Sequence, residues 1–224
     1  MVGCMILAAP AAADQPADDG RSSVAQRHDR DRRDNDAAEA AAGFLGLFLG
    51  LLGGLREQGA VQPACDAGAF YGWAQTRHPA YGYAMSYPQH WRQQDVNVPN
   101  VVQVLINPCP PHAAIIVARS PVGGQLAQPQ LEAVMHAFQK EGGVFATMLS
   151  QEPAAGAGQP RRKGLFRGYD DGVDMVALVH AVSSPPDLYL VVGLAPDASG
   201  QQAGTMLRYT IESFVPPTAF APGG

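Results

Sequence analysis

Cysteine and histidine are the side chains of this 224-residue sequence best suited to chemistry, and their spacing limits what that chemistry can be. Cys109-Pro110-Pro111-His112 has a Cys-x-x-His spacing that a soft metal can use. Structural zinc takes four ligands, however, and no second Cys/His pair follows at a usable spacing. Cys65 and Cys109 are the pair that a disulfide would join, because Cys4 lies in a segment that export would remove. An oxidising compartment favours such a bond, which would close a loop of roughly 44 residues, worth about 4 kcal/mol on the chain-entropy account. A cytosolic chain would leave both thiols reduced. His78 and His90 flank one alternating stretch and His180 lies in another, where a polar residue at a strand edge needs no chemistry to account for it. A hydrolase-like or metal-dependent activity would have to be built from His90, His112 and Cys109, in a deep pocket lined by two or more of them.

The sequence supplies little else for catalysis. No Gly-x-Ser-x-Gly phrase offers an activated nucleophile, and there is neither a phosphate loop nor a dinucleotide glycine fingerprint. No cofactor is therefore expected. Arg161, Arg162, Lys163 and Arg167 form the local positive cluster, which could meet an anionic partner or a lipid head group. A solvated strand end accounts for it equally well. The formal net charge is −5; residues 14–39 carry five arginines against eight acids and residues 40–224 ten basic against twelve acidic residues. Neither part has the positive excess that nucleic-acid binding requires.

These residues need elements to position them, and the chain divides unevenly in that respect. Residues 1–13 are apolar and end in Ala11-Ala12-Ala13, the small-residue pattern cut by signal peptidase, although the basic start of a full signal peptide is missing. Residues 14–39 are charged and nearly free of large aliphatic side chains, a composition expected to stay disordered as a tether. Residues 40–55 then run without a charge. As a helix they reach about 24 Å, short of the roughly 30 Å of bilayer hydrocarbon. Gly43, Gly46, Gly50 and Gly53 fall on one helical face, so this segment is expected to lie in or on a membrane, or to self-associate, as a Gly/Leu-rich helix over 40–56. A buried helix of a soluble domain is disfavoured because each glycine costs up to about 1 kcal/mol there. An internal targeting sequence is the third reading. Residues 57–80 read as a linker with at most a short helix over 67–76.

The domain proper is expected over 81–216, with a tail at 217–224. Tyr81 to Tyr87 alternates with the period of a strand and stops at Pro88. Val101 to Ile106 and Ala113 to Arg119 follow as strands joined by short, proline-rich turns, which favours antiparallel neighbours. Pro129 in a first turn, the stripe Leu131, Val134, Met135 and Phe138, and Gly142-Gly143 delimit a helix. Asp170-Asp171-Gly172 between two alternating runs, 161–169 and 173–182, is a hairpin signal. Leu188 to Leu194 is apolar on both faces and belongs in the middle of the sheet. A last helix over 201–214 presents Met206, Leu207, Thr210, Ile211 and Phe214.

Tyr83-x-Met85-Ser86-Tyr87-Pro88-x-x-Trp91, the Gly168-Tyr169-x-x-Gly172 hairpin, the apolar strand 188–194 and the closing Thr210-Ile211-Glu212-Ser213-Phe214 together resemble the PsbP-like (Mog/PsbP) fold of small envelope proteins. The likeness covers roughly 81–216. It implies an α+β domain, an antiparallel sheet flanked by helices in an α/β/α sandwich, with no shared active site and members acting as accessory or binding subunits. The combined reading is a non-enzymatic, exported, periplasmic or envelope-associated binding module. Its expected partner is another protein or a membrane surface, with homo-oligomerisation through 40–55. A cytosolic interaction domain is the alternative.

Overall fold

The computed structural model describes residues 72–109, 112–141, 145–154, 158–170 and 172–217. Nine strands and two helices follow one another in this order: β1 (Trp73–Arg77), β2 (Ala84–Pro88), β3 (Arg92–Gln94), β4 (Val101–Ile106), β5 (Ala114–Pro121), α1 (Gln128–Glu141), β6 (Thr147–Pro153), β7 (Arg161–Asp170), β8 (Val173–Ser184), β9 (Asp187–Pro196) and α2 (Gly200–Glu212). Strands β3 to β9 form one seven-stranded antiparallel sheet in the order β3-β4-β5-β9-β8-β7-β6, and β1 pairs with β2 in a separate hairpin.

Strand β9 is central, as its unbroken apolar sequence requires, because both of its faces are covered. Leu188, Leu190, Val192 and Leu194 join a cluster with Leu131, Val134, Met135 and Phe138 of α1. Tyr189, Val191 and Ala195 join a second cluster with Leu207 and Ile211 of α2 and with Tyr83, Met85 and Trp91 of the β1–β2 region. The strand's period of two thus sorts its side chains between two helical layers. Between β7 and β8, Asp170 pairs with Val173, and Gly172 has a φ of +87°, the left-handed conformation that a two-residue hairpin turn demands.

Three strands were not foreseen. β1 lies in the stretch read as a linker with at most a short helix, β6 lies between the expected helix and the expected hairpin where no element was assigned, and β3 occupies an all-polar run. The folded domain therefore begins ahead of Tyr81. Helix α2 ends at Glu212, two residues short of expectation, and Phe214 belongs to a connecting segment whose Val215 bridges to Ala84. The expected segments 1–13, 14–39 and 40–56 lie outside the described residues. Among the described residues, no helix is long and apolar enough to cross a membrane.

Candidate functional site

The hairpin β1–β2 and the segment after α2 build the site. Their register sets Thr76 opposite Met85, Gln75 opposite Ser86 and Arg77 opposite Ala84. The loop is closed by His78, whose N–H donates to the Tyr83 carbonyl at 2.8 Å and whose carbonyl accepts from Gly82 N–H at 2.8 Å. His78 Nδ1 accepts from the N–H groups of Ala80 and Tyr81, each at 3.3 Å.

Tyr83 pins this hairpin to the sheet. Its hydroxyl donates to Gln103 Oε1 at 2.9 Å, and its ring lies 5.3 Å from Phe214 and 6.0 Å from Tyr189. Burial, and then the neighbouring Tyr189 and Tyr81, push its phenol well above the usual range, so it stays neutral. Beside it, Tyr81 lies over the Arg119 guanidinium, 5.1 Å from ring centroid to Cζ. Arg119 Nε lies 2.8 Å from Asp187 Oδ2, and the contact with Asp187 is the main reason its pKa is raised further. The hairpin loop is thereby clamped to β5 and β9.

Bonding alternates along β2. Ala84 exchanges both backbone bonds with Val215, at 2.9 and 2.8 Å, and Ser86 meets the Ser213 hydroxyl through its N–H at 2.8 Å and its carbonyl at 3.2 Å. Residues of β2 that face the C-terminal segment in this way cannot also bond β1, so the ladder to β1 runs through Met85 and Tyr87. Opposite them, Thr76 and Ala74 are engaged, whereas the N–H and C=O of Gln75 and Arg77 point away from β2, to an edge that no other described strand pairs with. An open cavity of about 360 Å³ lies against this edge, lined by Gln75, Thr76, Arg77, Gly82, Ala84, Val215 and Pro216. Val215 is 52% exposed, and Arg77 is the charged member of the lining.

No protein-family model matches the sequence, and no curated protein does. Solved structures do resemble the three-dimensional arrangement. Cyanobacterial PsbP (CyanoP) from Synechocystis matches with a TM-score of 0.51 at 15% identity, over 70% of this chain and 99% of that one. This is a Mog/PsbP-type fold. LpqN, involved in cell envelope biogenesis in Mycobacterium tuberculosis, matches at 0.50 and 12% identity, over 64% of this chain and 90% of that one. The Saccharomyces cerevisiae Ran-binding protein Mog1p matches at 0.50 and 11% identity, over 66% and 96%.

Within this Mog/PsbP-type domain the sequence-level candidates fall in separate places. The positive cluster on β7 is divided by the strand's own alternation. Arg162 turns towards α1, where Nη2 lies 3.3 Å from Glu132 Oε2 and Nε donates to Gln151 at 3.0 Å. Lys163 pairs with Glu212 of α2, and Arg167 with Asp197 at 3.1 Å. Arg161 reaches the Phe214 carbonyl at 3.5 Å, and burial lowers its pKa. Three of the four cations are thus matched by carboxylates, two of them on helices α1 and α2 and one just after β9; they do not form one open patch.

Two of the candidate catalytic residues share Asn107 as a partner. Asn107 Oδ1 accepts from the Cys109 N–H at 3.1 Å, and its side chain also hydrogen-bonds His90, whose pKa burial nevertheless lowers. The Asn107 N–H donates to the Ala113 carbonyl at 2.8 Å, so this residue organises the β4–β5 turn. His112 is exposed. None of the three lines the cavity. Among the described residues, no three His, Cys, Asp or Glu side chains are grouped to hold a metal ion. Cys65, Gly43, Gly46, Gly50 and Gly53 lie outside the described residues. Sequence reading missed Gln75, Arg77 and Val215, whose only sequence signals are ordinary polar, charged and apolar types 140 positions apart at the extremes, Gln75 to Val215.

Proposed function

We propose that this protein is a non-catalytic binding module of the cell envelope, exported and held at a membrane or in an oligomer by the Gly/Leu segment over 40–55. The observation that carries the binding reading is the open cavity beside a strand edge that has no partner among the described residues, lined by no histidine, cysteine or carboxylate. Its setting agrees with this. The hairpin that forms it is pinned by the Tyr83–Gln103 bond and the Tyr81–Arg119–Asp187 clamp, which gives a rigid surface in place of a mobile lid. A fold that accommodates both an envelope-biogenesis protein and a Ran-binding protein supports binding in general and leaves the partner to local chemistry. That partner is another protein or a membrane surface.

Export is supported by the Ala11-Ala12-Ala13 pattern, and attachment by the glycine-faced apolar run. Fractionation of the tagged full-length protein, with and without residues 40–55, tests attachment. The intact protein is expected in the membrane fraction or in a larger assembly, and the deletion in the soluble, smaller fraction. Equal behaviour of the two forms would remove the attachment while leaving the binding surface to be tested separately.

A further inference from the structure

Four strands end a sheet among the described residues, and they are not equally guarded: the outer edge of β2 is taken by Val215 and Ser213. β3 is three residues long and begins with Arg92. β6 carries a bulge between Met148 and Ser150 and ends on Pro153. Short length, charge, bulges and proline are the usual means of blunting an edge against unwanted pairing. β1 has five residues in regular register with β2, no bulge and no proline. Its outward N–H and C=O groups at Gln75 and Arg77 have no hydrogen-bond partner among the described residues.

We infer that the β1 edge is a docking site for an extended segment of a partner protein that carries an acidic residue opposite Arg77. This deepens the binding reading by naming its surface and the chemistry of its ligand. An antiparallel strand laid beside β1 would exchange paired backbone bonds with Arg77 and Gln75, spaced two residues apart. Its side chains opposite those two residues share their face of the sheet, because directly opposed residues in an antiparallel pair project the same way. On that face lie Ala84 and the half-exposed Val215, one strand further in, together with the cavity. At about 360 Å³ it is at the small end for ligand sites, a size suited to side chains. Charge selects among segments. Arg77 is exposed, its Nε makes only a 3.4 Å contact with the Gly82 carbonyl, and no carboxylate among the described residues pairs with it.

The test uses the full chain, isotopically labelled for NMR, and three acetylated, amidated peptides. TETVT sets Glu opposite Arg77 and Val opposite Gln75; TKTVT reverses the charge, and TETPT removes the N–H that would donate to the Gln75 carbonyl. TETVT is expected to shift the amides of Gln75, Arg77, Ala84 and Val215 and to slow hydrogen exchange at Gln75 and Arg77 at least fivefold. TKTVT and TETPT should bind at least fivefold more weakly, and Arg77→Glu should reverse the preference between TETVT and TKTVT. Equal binding of TETVT and TKTVT, shifts centred elsewhere, no shift at millimolar peptide, or equal protection of the two amides without peptide would each overturn the site. A natural partner retained unchanged by Arg77→Glu would sink this edge while leaving the broader binding reading standing.

Discussion

At the scale of single residues, His180 is the side chain whose protonation the fold resists most. It is 1% exposed, and its Nδ1 donates to the Ile211 carbonyl of α2 at 3.2 Å. Burial, aided by the positive charges of Arg161 and Lys163 and opposed by the Ile211 bond and Glu212, lowers its pKa from 6.5 to about 4. The folded protein therefore refuses a proton that the unfolded chain accepts. Stability contributed by neutral His180 is complete above pH 6.5 and is lost as pH falls from 6.5 to 4, by up to about 3 kcal/mol. Below that range this group adds no further loss. Urea unfolding at pH 7.5 and 4.5 should show the wild type losing about 2 to 3 kcal/mol more than His180→Gln, in which the group no longer titrates. Identical pH dependence in the two proteins would show that His180 does not couple α2 to pH. Its position on the α2 face of β8, next to the Lys163–Glu212 pair, makes the helix the element that loosens first.

At the scale of elements, two glycines read alike in the sequence and mean opposite things. A Cβ on Gly193 in β9 would lie 2.7 Å from Ile211 Cδ1 and 3.1 Å from both Leu207 Cδ2 and Ile115 Cδ1. The terminal methyls of these buried side chains occupy the space that a Cβ would take. Gly193→Ala is expected to cost about 1 to 3 kcal/mol by overpacking, measured as a lowered denaturation midpoint with an unchanged slope. Gly204 lies inside α2 with nothing within 4 Å of the corresponding position, so Gly204→Ala should stabilise by up to about 1 kcal/mol through helix propensity. A destabilised Gly204→Ala would refute the helix geometry. The same contrast separates what the sequence disclosed from what it hid. β4, α1, the β7–β8 hairpin and β9 announced themselves through apolar period or turn chemistry, since each carries several buried side chains. β1, β3 and β6 are edge strands with few or no buried side chains, and a strand that buries little leaves no hydrophobic period to read. The cavity was illegible for a related reason. Gln75 and Arg77 become a site only when register leaves their backbone groups unbonded, a property of pairing and not of residue type.

At the scale of the whole molecule, the open question is how the segment ahead of β1 is tied to the domain, and the cysteines give it a measurable form. Cys109 is half-buried at the end of β4, its N–H held by Asn107 at 3.1 Å. A bond from it to Cys65 would close a loop of roughly 44 residues that encloses β1, β2, β3 and β4, a constraint worth about 4 kcal/mol on the unfolded chain. It would also fix the approach of the Gly/Leu segment. Nine residues lie between Leu55 and Cys65. The ten steps from one to the other span at most about 36 Å fully extended, so Leu55, the near end of the segment, could lie no further than that from Cys65. Export makes this testable in protein purified from an oxidising compartment. A non-reducing peptide map is expected to contain one linked species joining the Cys65 and Cys109 peptides, and reduction should lower stability by up to about 4 kcal/mol. Cys65→Ser, Cys109→Ser and the double variant should then be equally destabilised, because either change alone removes the whole bond. Full alkylation of both thiols without reductant would sink the pairing and favour a reducing compartment, and with it the cytosolic reading of the domain.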